Sequence, residues 1–144
     1  MKKMLLYISA VAVIMTITAV CLVFAKDDDS RNIEFLAEYG WEVQTEAIEV
    51  EKVEIPAQFD DVYNNYNQIQ KRAGLDLAPY KGKKGVRYTY LVLNYPDDVD
   101  EPVRANLICI QGEPVAGDIM TVSIDGFMHS LNYPKNGAET AGEL

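Results

Sequence analysis

Between Lys3 and Lys26 the chain carries no charged residue, and this stretch from Met4 to Ala25 constrains the architecture more than any other feature. At 1.5 Å per residue it makes a helix roughly 33 Å long, against a bilayer core of about 30 Å. Its few hydroxyls (Ser9, Thr16 and Thr18 among them) can bond to the helix's own carbonyls in lipid. Lys2 and Lys3 flank one end and Asp27, Asp28 and Asp29 follow the other, which predicts an N-terminus in the cytoplasm and a C-terminal domain outside. Residues 1–25 are therefore read as a single-pass anchor of the cell membrane. A cleavable signal peptide has an apolar region of roughly 7 to 15 residues, so the length favours an uncleaved signal anchor. Val23-Phe24-Ala25 also suits cleavage following Ala25, which would release a secreted domain. Cys21 follows the β-branched Val20 where lipid attachment wants a small residue, and is read as lipid-facing.

Past residue 25 the chain holds all 22 acids and 11 of the 13 bases, a net charge of −11. Nucleic-acid binding needs a basic footprint and is excluded as a partner class. One cysteine, Cys109, rules out a disulfide scaffold there. Residues 26–131 are expected to form one extracytoplasmic domain, and the small, polar 132–144 a disordered tail.

Within that domain, Ile33, Leu36 and Tyr39 recur at helical spacing, with Asp27 to Ser30 as cap candidates and Gly40 as the stop. Trp41, Val43 and Thr45 alternate as a strand does, and the parity then shifts twice before Ile55, so a bulge or two short strands are expected. A second helix is predicted from Pro56 to Ala73. Its apolar stripe is Phe59, Val62, Tyr63, Tyr66, Ile69 and Ala73, its last turn is basic, and Gly74 is its stop. Three strand-like runs follow at hairpin spacing: Val86–Tyr95, Val103–Gln111 and Gly117–Ile124. Phe127, Met128 and Leu131 suggest one last helical turn. The expected fold is α+β: an antiparallel sheet of one or two N-terminal strands plus a three-strand meander, with two helices packed on one face.

Catalytic signals are sparse. His129 is the one histidine, and Cys109 lies in the apolar run Leu107-Ile108-Cys109-Ile110, where a thiol is ordinarily buried and inert. A hydrolase-type enzyme using Cys109 or His129 is the alternative reading, since a thiolate needs a neighbouring base. One His and one Cys cannot furnish a zinc site unless carboxylates complete it. Asp97, Asp98, Asp100 and Glu101 lack the spacing of a calcium loop and read as a solvated hairpin tip. Gly82-Lys83-Lys84-Gly85 has the Gly-x-x-Gly form of one RNA-binding module, but precedes a strand in an acidic, external domain. No cofactor is expected.

The one reversal of charge is the cluster Lys81, Lys83, Lys84 and Arg87 beside Tyr88, read as a patch for an anionic partner such as an envelope polymer or lipid headgroup. The leading expectation is a non-enzymatic interaction module of the cell envelope or spore, binding an envelope protein or anionic polymer. An inhibitor of a partner enzyme is a further alternative.

One pattern runs along the chain: Ile33-Glu34-Phe35-Leu36, Tyr39-Gly40-Trp41-Glu42-Val43, Ile55-Pro56, Phe59, Val62-Tyr63, Tyr66-Asn67, Gly74-Leu75-Asp76-Leu77, Tyr80-Lys81-Gly82-Lys83, Arg87-Tyr88-Thr89-Tyr90, Gly117-Asp118-Ile119 and Asp125-Gly126-Phe127-Met128-His129. In these the chain resembles an uncharacterised family, a domain of unknown function, of small membrane-anchored proteins from spore-forming Gram-positive bacteria. The resemblance spans roughly residues 31 to 131. It implies one membrane helix and one small external domain, with no activity, ligand or catalytic residue to carry over.

Overall fold

A computed structural model describes residues 28–132. The expected anchor, residues 1–25, lies outside the described residues, as does the expected tail 132–144 apart from Asn132, whose side chain donates to the Arg72 carbonyl at 2.7 Å. Among those described, no helix is long and apolar enough to cross a membrane.

Helix α1 covers 28–38. It ends as its sequence predicts: Gly40 takes φ 93°, and the N–H groups of Gly40 and Trp41 donate to the carbonyls of Ala37 and Leu36. This is a Schellman closure, which satisfies carbonyls that the helix end would otherwise leave bare. Helix α2 (Asp61–Arg72) closes in the same way, with Gly74 at φ 78° and bonds from Gly74 to Lys71 and from Leu75 to Gln70. Its start differs from the expected Pro56. Ile55 is still held in an extended ladder by the Lys83 carbonyl and the Gly82 amide, so the chain is not free to coil until Asp60 caps the Tyr63 N–H at 2.9 Å.

The sheet is one antiparallel meander in the order β1 (Glu49–Glu54), β2 (Lys84–Leu91), β3 (Arg104–Ile110), β4 (Glu113–Met120) and β5 (Met128–His129). A short 3₁₀ turn, Ala78–Tyr80, lies between α2 and β2. The doubly shifted parity after Trp41 resolves into two short pieces along β2, a single bridge Val43–Val92 and then β1. The predicted last helical turn is instead β5, pairing Met128 with Met120 and His129 with Ile119.

Gln111 and Gly112, both at positive φ, form the two-residue hairpin turn that joins β3 to β4. Four residues of β4 precede the predicted start at Gly117. They escape a period-2 reading because the register jumps from Cys109–Pro114 to Ile108–Ala116, leaving Val115 as an extra residue.

The two helices do not share a face, contrary to expectation. α1 sends Leu36 into a core with Trp41, Tyr90, Leu107, Ile119 and Leu131 on one face of the sheet. Tyr66 of α2 joins Ile55, Leu77, Ile108, Val115 and Ala116 on the other. The second helix buries Asn67, Ile69 and Gln70, while Val62 of its predicted stripe is 72% exposed. The amides have work there. Gln70 Oε1 accepts the Gly117 N–H at 2.8 Å, on the stretch of β4 that β5 is too short to cover. Asn67 accepts the Leu77 N–H and donates to Asp76. A sheet edge offers unpaired backbone groups, and α2 docks by satisfying them.

Candidate functional site

The register lays out the sheet face beneath α2 in rows. One row runs Glu49, Thr89, Asn106 and Asp118 across four strands. A second runs Glu51, Arg87, Ile108 and Ala116; a third runs Leu91, Arg104, Met120 and Met128. The first row is wired together: the Thr89 hydroxyl donates to Asn106 Oδ1 at 2.7 Å, and Asn106 Nδ2 donates to Asp118 Oδ1 at 2.8 Å. The Tyr66 hydroxyl of α2 then donates to Asp118 Oδ2, also at 2.8 Å. Burial pushes the Asp118 carboxyl above its usual range, against the pull of the Asn106 and Tyr66 bonds and the Arg87 charge. Tyr66 is raised well above the ordinary phenol by its own burial and by the neighbouring carboxylate.

Over this floor lies a cleft of about 840 Å³ between α2 and the sheet. Val62, Tyr63 and Ile69 form its helix wall, and Ile108, Met120 and Met128 its apolar base. Arg87 enters from β2, with Nη2 2.6 Å from Glu51 and 3.8 Å from Glu49. Glu49 is also 3.9 Å from Arg104 Nη1, so one exposed carboxylate is shared between two guanidinium groups. The Nε atoms of both arginines are buried without an acceptor.

The predicted basic patch is divided by the pleat. Arg87 faces the cleft, whereas Tyr88 points to the α1 side and donates to Asp28 Oδ2 at 2.9 Å. Lys84 lies with Tyr88 along a shallower groove on that side, beside Asp28 and Glu54. Lys81 sits over the Phe59 ring, 4.5 Å from its centroid, and Lys83 is exposed in the turn. Adjacent residues of a strand point to opposite faces, so Arg87 and Tyr88 do not share one surface. Asp28 and Asp29, expected as caps, lie inside helical backbone and accept the hydroxyls of Tyr88 and Tyr90.

Cys109 and His129 are not neighbours. Cys109 is four residues along β3 from Ala105, whose β4 partner Ile119 pairs with His129. That is about 13 Å along the strands, besides two strand spacings. Cys109 is 3% exposed, its thiol donates to Asn32 Oδ1 at 3.3 Å, and burial pushes it up to about 12. His129 stacks against Phe127 and lies beside Trp41 and Tyr95, with Nδ1 2.8 Å from the Ser130 carbonyl and Nε2 3.2 Å from the Tyr95 hydroxyl. Desolvation holds it below the usual imidazole range, which favours the neutral ring; Nδ1 faces a carbonyl and is then the donor, leaving Nε2 to accept from Tyr95. Among the described residues, no group of three or more His, Cys, Asp or Glu is placed to hold a metal ion.

Residues 35–119 match a protein family described as a domain of unknown function, DUF4830. The chain belongs to the DUF4830 family. The matched span runs from the last turn of α1 to the penultimate residue of β4 and so contains Tyr66, Arg87, Arg104, Asn106 and Asp118, while Met120 and Met128 fall beyond it. No curated protein and no solved structure matches the chain.

Sequence reasoning missed the cleft. By sequence Tyr66 is one member of an apolar stripe, and Asp118 stands only in the segment Gly117-Asp118-Ile119, with no role attached. The available signal was the period-2 pattern Asn106–Ile108 and Asp118–Met120, which marks a sheet face too polar for core and too apolar for open solvent.

Proposed function

We propose that this DUF4830 protein is a membrane-tethered, extracytoplasmic binding module of the cell envelope, non-enzymatic, with the cleft beneath α2 as its ligand site. The observation that carries the reading is that cleft. Its volume lies within the roughly 300–1,000 Å³ of small-molecule sites, and apolar walls surround a few convergent polar groups. The groups best suited to covalent chemistry, Cys109 and His129, lie on the other face of the sheet, buried and apart. The uncharged Met4–Ala25 stretch and its lysine flank support the tether and the outward orientation.

The test uses the full chain purified from membranes and examined by native mass spectrometry. A cleft-filling Met120→Trp variant, checked for folding by circular dichroism, is expected to lose a small molecule that the parent chain retains. Turnover of ester, glycoside or phosphate substrates that disappears with Asp118→Asn would overturn the non-enzymatic reading.

A further inference from the structure

We infer that the α2 cleft takes a single-chain amphiphile with an anionic head, the head held by Arg87, which lines the cleft, and by Arg104, which pairs with the lining residue Met120, and the chain laid over Met120 and Met128. This deepens the reading of the cleft as a ligand site and rests on it. Three features converge.

The first is charge. The domain is strongly acidic, yet two arginines from adjacent strands share this sheet face, separated by the Thr89–Asn106 pair. Their counter-ions are the edge-strand carboxylates Glu49 and Glu51, each about half exposed. Exposed pairs of this kind contribute roughly 0–1 kcal/mol, so an incoming anion displaces them at little cost. Two of the three contacts, at 3.8 and 3.9 Å, are also too long for hydrogen bonds.

The second is unmet hydrogen bonding. The Nε donors of Arg87 and Arg104 are buried with no acceptor. The side chains are nonetheless 40% and 33% exposed, so a carboxylate or phosphate meets each guanidinium at its outer Nη groups, and guanidinium is the side chain suited to bidentate anion recognition.

The third is the base of the cleft. The row that contains Arg104 continues to Met120 and then Met128, so a charged head and a flexible apolar bed are adjacent by register. Methionine adapts to irregular apolar ligands, and Val62, 72% exposed, overhangs the same cleft from α2. An exposed apolar residue at a cleft lip gains area when an alkyl chain occupies the space below it.

The experiment uses the full chain in neutral-lipid nanodiscs, with empty nanodiscs correcting for partition. Octanoate, octyl phosphate, octylamine and octanol are titrated, with hydrogen exchange as the readout of where each binds. Octanoate or octyl phosphate is expected to protect α2 and β4, and whichever binds tighter distinguishes a fatty-acid from a phosphate-ester source. Octylamine and octanol are expected to bind at least tenfold more weakly. Arg87→Gln and Arg104→Gln should each cost about tenfold or more, the loss of a charge-assisted bond. Glu49→Gln, an exposed edge substitution that leaves the core intact, should instead raise affinity severalfold. Octanol binding the cleft as well as octanoate would overturn the anionic head while leaving the cleft a ligand site. Binding by none of the four, protection confined to α1, or an unchanged Arg87→Gln affinity would each overturn the inference.

Discussion

Tyr66 donates its phenol proton to Asp118 across 2.8 Å, so α2 is fastened to the sheet through a buried carboxylate rather than through apolar contact alone. Asn106 supplies the second donor to the same carboxylate. Removing one donor leaves buried negative charge short of a partner, and hydrogen bonds to charged groups are worth about 1.5–3 kcal/mol. Tyr66→Phe should therefore destabilise the domain by about that amount, read as a shift of the urea midpoint with unchanged m-value.

The same carboxylate gives the domain a pH signature. Asp118 has its folded pKa raised above the unfolded value of about 3.9. Between the two values the folded state binds more protons than the unfolded chain, so stability falls as pH rises through the folded pKa. Asp118→Asn should remove that decline, and unfolding curves collected from about pH 4 to 7 on both proteins test it.

His129 works with the opposite sign. Burial lowers its folded pKa below the unfolded value of about 6.5, so in that window the unfolded chain binds the extra proton. Its contribution is complete above the unfolded value and is lost as pH falls below it. In His129→Gln the acid-side loss of stability near pH 6 should be smaller than in the parent, as the difference between their thermal midpoints would record.

Cys109 should be unreactive in the folded state. Its thiol is buried, bonded to Asn32 and raised to about 12, leaving negligible thiolate near neutrality. Iodoacetamide at pH 8 is expected to leave the Cys109 peptide unmodified until denaturant is added, as mass spectrometry of that peptide would record.

The hairpin between β3 and β4 contains a correctable strain. Gln111 holds φ 53° before Gly112, a left-handed conformation that costs most L-residues roughly 1–2 kcal/mol and that asparagine tolerates. Gln111→Asn should raise stability by up to about 1 kcal/mol, measurable as a higher midpoint in thermal unfolding.

Local signals were legible where one short stretch of chain settles the outcome. Gly40 and Gly74 mark both helix ends because only a residue at ease at positive φ closes a Schellman motif. The hairpin-spaced runs after Gly85 announced the meander, although the Val115 bulge hid the first half of β4. The side of the sheet taken by α2 was not legible. Its buried residues include Asn67 and Gln70, amides whose partners are backbone groups of Leu77 and Gly117, and no hydropathy pattern encodes such a partner.

The sequence by itself determined an uncharged stretch from Met4 to Ala25, an acidic α+β domain and an antiparallel meander, because composition and period act within a few residues. Only the tertiary structure decided which charges meet. The pleat sends Arg87 and Tyr88 to opposite faces. Pairing across strands then sets Arg87 near Arg104, and docking of α2 sets Tyr66 against Asp118, over separations in the chain of 17 and 52 residues. Such contacts arise from register and helix docking, which depend on the whole chain at once.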